Sequence, residues 1–215
     1  MRTVTLTVAL VIIGSPLFGQ EPHSKDEAWK PDAGFVSLFN GKDLSGWCFR
    51  KRTPKKETRP GDIIQNLKGK TQSDDQRYSV KNNTLIVSFP NERDRLTARL
   101  YTVAEFPENF ELKLEFRASV NADSGIFIRK PQLQCRDYLV AGPYKKLKHY
   151  RPQEWNSIKV IVKDGVASCT CNGEVLEQAL KLPKTGPIGL EGDRGQIEYR
   201  HLQLKKLPAT VSSSN

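Results

Sequence analysis

The nine residues Phe110–Ala118, FELKLEFRA, alternate without interruption: Leu112, Leu114 and Phe116 are spaced by Glu111, Lys113, Glu115 and Arg117. A period of two sends successive side chains to opposite faces of a sheet, so this run is a strand with one dry and one wet face. The stretch that follows, residues 124–138 (SGIFIRKPQLQCRDY), carries two shorter runs around Lys130-Pro131 in the same rhythm. Ile126, Ile128, Leu133 and Cys135 take the apolar side, while Arg129, Gln132, Gln134, Arg136 and Tyr138 take the other. Planar hydrogen-bonding groups beside aromatics match the hydroxyl pairs and C–H surfaces of a sugar. The plainer alternative is the ordinary wet side of an antiparallel sheet.

Working outward, the same alternation recurs. Tyr78–Lys81 and Thr84–Ser88 flank Asn82-Asn83, and Val166–Cys171 and Glu174–Leu180 flank Asn172-Gly173. Asn and Gly tolerate the left-handed conformation that a two-residue hairpin turn demands, so both are hairpins. Ile158, Val160 and Val162 point inward from another strand, and shorter strands are expected over residues 35–39 and 96–103. Near the end, Ile197 and Tyr199 share one phase while Leu202 and Leu204 take the other, which predicts a β-bulge near Arg200 and His201. Residues 140–153 hold Gly142-Pro143 and Arg151-Pro152 and read as a loop, with Tyr144, His149 and Tyr150 suited to covering a pocket. There is no sustained helical period and no internal repeat. Many short strands separated by turns give an all-β sandwich.

The chain has 215 residues and a formal net charge of +10. Arg2, the apolar run of residues 8–13, then Gly14, Pro16 and Gly19 have the layout of a signal peptide over residues 1–19. That run is too short to span a bilayer. A polar leader (20–31), one domain (32–207) and a frayed tail (208–215) follow, and a secreted or periplasmic location is expected. Much of the positive charge lies between Arg50 and Lys70, a stretch broken by Pro54, Pro60 and Gly61 with no aromatic between Phe49 and Tyr78. A single-strand nucleic-acid groove interleaves stacking aromatics, so no nucleic-acid partner is expected; weak contact with an anionic polymer is the remaining use.

Four cysteines, Cys48, Cys135, Cys169 and Cys171, in an exported chain predict at least one disulfide, from Cys135 to Cys169 or Cys171. Cys169 and Cys171 point the same way on one strand and do not pair with each other. Their one-residue spacer is not that of a zinc site, and neither a metal nor a cofactor is expected.

The catalytic options are few. No HExxH, G-x-S-x-G, P-loop or dinucleotide-binding glycine pattern is present, which excludes zincin, common serine-hydrolase and nucleotide-dependent chemistry. The densest acidic cluster is Glu191-Gly-Asp193-Arg194-Gly195 with Glu198 beyond it. On an extended strand Glu191 and Asp193 share a face about 7 Å apart. Paired carboxylates serve glycoside cleavage, while a turn with its acids paired to Arg194, or a calcium site, are alternatives. His149 is a further candidate base. Trp47 and Trp155 are expected to pack, with sugar stacking as their other use.

Several blocks together resemble one family: GFVSLFNGKDLSGW at 34–47, NFELKLEFRA at 109–118, SGIFIR at 124–129, QEWNSIKV at 153–160 and GPIGLEGDRGQIEYRHLQLKKL at 186–207. In order and separation they are similar to the 3-keto-disaccharide hydrolase domain family, also called domain of unknown function 1080. The resemblance implies a concanavalin A-like jelly roll of two antiparallel sheets, an exported protein, and cleavage of glycosides whose sugar is oxidised at carbon 3. Gln132 stands where many members have glutamate, and Asp193 where many have histidine, while Arg129, Gln134 and Asp137 match. The resemblance implies a carbohydrate ligand; among this chain's own polar residues, Asp193, Glu191 or His149 is expected to handle the proton, and Arg129, Gln132, Gln134, Arg136, Tyr138 and Tyr144 are expected to bind the sugar. A non-catalytic carbohydrate-binding module on the same fold is the alternative.

Overall fold

The computed structural model describes residues 29–51, 53, 61–88, 99–135 and 143–209. The expected signal peptide, most of the leader, the middle of the basic stretch and the end of the tail lie outside these residues. So do Arg136 and Tyr138.

With strands numbered in chain order, one antiparallel sheet runs β12 (Glu174–Lys181), β11 (Val166–Cys171), β10 (Asn156–Lys163), β7 (Phe110–Ala118), β14 (Ile197–Lys206), β5 (Thr84–Val87) and β4 (Tyr78–Lys81). Its eighth strand, β1 (Val36–Ser37), also pairs with β14. The second sheet has six strands, in the order β3 (Ile63–Asn66), β2 (Trp47–Arg50), β6 (Leu100–Thr102), β13 (Ile188–Arg194), β8 (Asp123–Ile128) and β9 (Gln132–Gln134). The two stack as a jelly-roll sandwich, as the alternation and the family resemblance imply.

Strands β7, β10 and β11 bury alternate residues because only one face meets the opposite sheet. In β7 the buried set is Phe110, Leu112, Leu114, Phe116 and Ala118; facing strands add Ile126 and Ile128 from β8 and Leu190 from β13. Both hairpins form, with Asn82, Asn83 and Asn172 at positive φ. The bulge in β14 is where the phase change puts it. Register with β7 slips between Arg200 and Gln203, and His201 takes φ 56°. The slip lets Tyr199 and Leu202 both reach the core.

Two expectations are corrected. The loop expected over residues 140–153 is irregular in its described part apart from a short 3-10 turn, Pro143–Lys146, but its Tyr144 goes inward and does not cover a pocket. Tyr144 is fully buried, with Tyr150 at 5.1 Å and Phe116 at 6.1 Å between ring centres, and its hydroxyl donates to the Gln134 carbonyl at 2.7 Å. It fixes β9 from behind and does not line a surface pocket.

The disulfide is also absent: all four cysteines are buried free thiols. Cys169 and Cys171 point into the core from β11, as expected, and Cys135 lies among them after β9. Apolar packing, and not a crosslink, joins the sheets there. Burial pushes the Cys169 and Cys171 thiols up to about 12 and raises Cys135 well above the usual thiol range, so reactive thiolate is scarce at neutral pH. We therefore expect the native protein to resist alkylation at pH 8 and the unreduced, denatured protein to take up four labels by intact mass. Two labels after denaturation would show a bridge.

Candidate functional site

The outer face of the six-stranded sheet is set by the register of β6, β13, β8 and β9. Gly189 of β13 lies opposite Tyr101 of β6 and Phe127 of β8, and Phe127 opposite Gln132 of β9. One step along, Glu191 lies opposite Gly125, and Gly125 opposite Gln134. Two glycines thus occupy outward positions that would otherwise carry side chains. A Cβ at Gly125 would overlap the Gln132 side chain, and one at Gly189 would come within 2.5 Å of the Tyr101 ring. The missing side chains leave room for Gln132 and Tyr101 to lie across the sheet.

Gln132 crosses that gap to Glu191, its Nε2 donating to Glu191 Oε2 at 2.6 Å. From the other side Arg99 Nε donates to Glu191 Oε1 at 2.8 Å. The Arg99 guanidinium lies 4.1 Å over the Phe127 ring, and Tyr101 meets Phe127 edge-on at 6.4 Å. Cys48, Tyr101 and Phe127 form a small apolar cluster on this face, separate from the main core. Burial opposes the charge on Arg99, but the Glu191 carboxylate outweighs it and holds the guanidinium protonated. Behind the face, Ser124 Oγ donates to the Glu191 carbonyl and bonds Tyr199 at 2.8 Å, tying the strand to the core. The Glu191 side chain keeps 20% of its surface exposed, so an outside ligand can reach it.

Asp193 is the additional residue of a second bulge, between Gly192 and Arg194, and is half-buried. The bulge interrupts the regular alternation from Glu191; such insertions re-aim side chains beside active sites. Among the described residues the Asp193 carboxylate has no hydrogen-bond partner.

The other sequence candidates scatter. Gln134 is on this face beside Gly125. Arg129 is not: it is buried at φ 60°, and its guanidinium donates to the carbonyls of Phe106 (2.7 Å), Glu108 (2.8 Å) and Pro183 (2.9 Å). It pins three connecting segments, which is why the residue type fits there. His149 is exposed beside Glu174 and the β11–β12 turn of the eight-stranded sheet, away from Glu191. Glu198 is likewise on the other sheet, paired with Arg117. Trp47 is wholly buried, while Trp155 lies half-exposed beside Arg117 and Arg200. No three His, Cys, Asp or Glu side chains among the described residues converge as metal ligands.

Arg99, Tyr101 and Phe127 escaped the sequence reading. Phe127 sits opposite in phase to Ile126 and Ile128, a usable signal; nothing local places β6 beside β13. The crossing of Gln132 over Gly125 is directly testable. Gly125→Ala is expected to cost about 1–3 kcal/mol in denaturant unfolding, and markedly less when Gln132 is also alanine. Additive costs would show that the two do not share the space.

No curated protein matches the sequence. Among solved structures, a Parabacteroides distasonis protein described as a glycosyl hydrolase is similar at TM-score 0.59 and 18% identity, over 81% of this chain and 94% of that one. A second such protein from the same organism gives 0.49 and 19%, over 63% and 93%. The carbohydrate-binding module CBM66 of Bacillus subtilis gives 0.41 and 7%, over 76% and 97%. The first of these supports the fold alone. Residues 34–205 match the model of the 3-keto-alpha-glucoside-1,2-lyase-like domain, and the chain belongs to this 3-keto-disaccharide hydrolase family.

Proposed function

We propose that the protein acts outside the cytoplasm on 3-keto-glycosides, at the outer face of the six-stranded sheet, by elimination across C1–C2. Family membership supports the substrate class, and the signal-peptide layout of residues 1–19 supports export. The observation that carries the site is Glu191, held by Arg99 and Gln132 beside the Phe127 and Tyr101 rings. Rings of this kind pack against sugar C–H surfaces, and the fixed polar groups orient hydroxyls.

A ketone at C3 acidifies the C2–H bond. Asp193 takes that proton, and its electron pair forms a C2=C3 enolate whose oxygen is stabilised by Arg99. The enolate then re-forms the C3 carbonyl, makes a C1=C2 double bond and expels the aglycone oxygen, which collects the proton from Asp193. Water addition across C1=C2 gives the free keto-sugar, a net hydrolysis. Glu191 accepts from Arg99 and so orients the guanidinium; Asp193, whose carboxylate is unengaged among the described residues, is the freer base. His149 is too far removed along the fold to share these steps.

A non-catalytic sugar-binding module is the second reading. Gln132 favours it, because an amide does not exchange protons and its donor is already committed to Glu191. Turnover of a 3-keto-disaccharide by the wild type separates the two. We expect Asp193→Asn to lower kcat by at least about 100-fold, the scale of lost general-base catalysis, with binding retained. Unchanged turnover in that variant removes Asp193 from the mechanism; saturable binding with no turnover by the wild type establishes the binding module.

A further inference from the structure

The opposite side of the sandwich carries a second polar surface that the reaction above does not use. On the outer face of the eight-stranded sheet, Gln203, Lys113, Lys159 and Thr170 stand in one row across β14, β7, β10 and β11. In the next row Glu115 of β7 lies opposite Ser157 of β10. These residues floor a cleft of about 520 Å³, closed on the β14 side by Trp29 and His201. That volume falls within the span of small-ligand sites, roughly 300–1,000 Å³.

The wall is a fixed one. Trp29 stacks on His201 with ring centres 4.8 Å apart and planes 13° from parallel. The bulge at Arg200–Gln203 turns His201 to this face, where Glu115 holds its Nδ1 at 3.1 Å. Three residues after Trp29, Asp32 is clasped to the sheet: its N–H donates to Gln203 Oε1 at 2.7 Å, and its carboxylate receives Lys113 at 3.0 Å.

The floor has an unbalanced charge. Lys113 and Lys159 face each other directly across β7 and β10, an arrangement of like charges that costs stability. Lys113 is neutralised by Asp32 and Glu111, and Glu115 by Arg200. Lys159 has no acidic partner among the described residues. The cleft thus pairs an aromatic wall on β14 with a free ammonium and the Ser157 hydroxyl about 10 Å away, two strand spacings on, and with the Thr170 hydroxyl one strand further. A bare anion would use only the ammonium, and a neutral sugar only the ring and hydroxyls. We propose that this cleft binds an acidic saccharide, with the sugar against Trp29 and its carboxylate on Lys159. The proposal rests on the eight-stranded sheet alone and stands whether or not the other face turns over a keto-glycoside.

The test is amide-resolved NMR titration of the whole protein with cellobiouronic acid, against cellobiose and sodium acetate as neutral and anion-only controls. Saturable shifts are expected at Ser157, Lys159, Thr170 and Gly173 with the acidic disaccharide. Lys159→Gln, a change at an exposed position, should weaken binding about tenfold or more, the scale of one charge-assisted hydrogen bond; Trp29→Ala should weaken it as well. Equal binding of cellobiose, identical shifts with acetate, an unaffected Lys159→Gln variant, or shifts confined to Gly125, Gln132 and Glu191 would each overturn the proposal.

Discussion

A carboxylate mostly withdrawn from water on a sheet face must be met by donors, because an ion without partners is costly to bury. Glu191 is met twice, by Arg99 from one side and Gln132 from the other. Both contacts depend on backbone placed far apart in sequence. Arg99 must lead into β6 where that strand pairs with β13, and Gln132 must cross an empty position, which Gly125 supplies. The core then holds the four strands in register: Leu100, Leu190, Ile126 and Leu133 all point inward from beneath this face. A slip of one residue in any of them would exchange its inward and outward sets and dissolve the site.

The two faces of the sandwich use the same alternation for different ends. On the six-stranded sheet, glycines and aromatics open hollows around one held acid. The eight-stranded sheet instead carries long charged side chains in rows, most of them paired across strands, as with Arg117–Glu198 and Arg200–Glu115. Lys159 is the exception in its row. The sheets are joined by apolar packing around Phe116, Tyr144 and Tyr150 and by three buried thiols, without a crosslink.

What could be read from the sequence follows from which forces act locally. Alternation in Phe110–Ala118 reports burial directly, and the Asn turns and the phase change before Leu202 report backbone geometry, so the sandwich, its hairpins and the β14 bulge were all legible. Tyr144 was misread because Gly142-Pro143 mark a break in regular structure without saying whether the next residues turn outward or inward. The cysteines were misread because spacing gives the direction of a thiol but not the distance to its neighbour. Within the site, Glu191, Gln132 and Gln134 stood out as polar residues in strand phase. Arg99 and Tyr101 did not, since their role depends on the pairing of β6 with β13 across some ninety residues. Arg129 looked like a ligand-binding cation until its three backbone carbonyl partners were visible.

The most direct test of the central claim is a crystal structure of the Asp193→Asn protein soaked with a 3-keto-disaccharide. The account predicts the keto-sugar ring over Phe127 and Tyr101, its C3 oxygen within hydrogen-bond reach of Arg99, and C2 facing residue 193. A sugar seated on the eight-stranded sheet instead, or one at this face with its C3 oxygen turned away from Arg99, would contradict it.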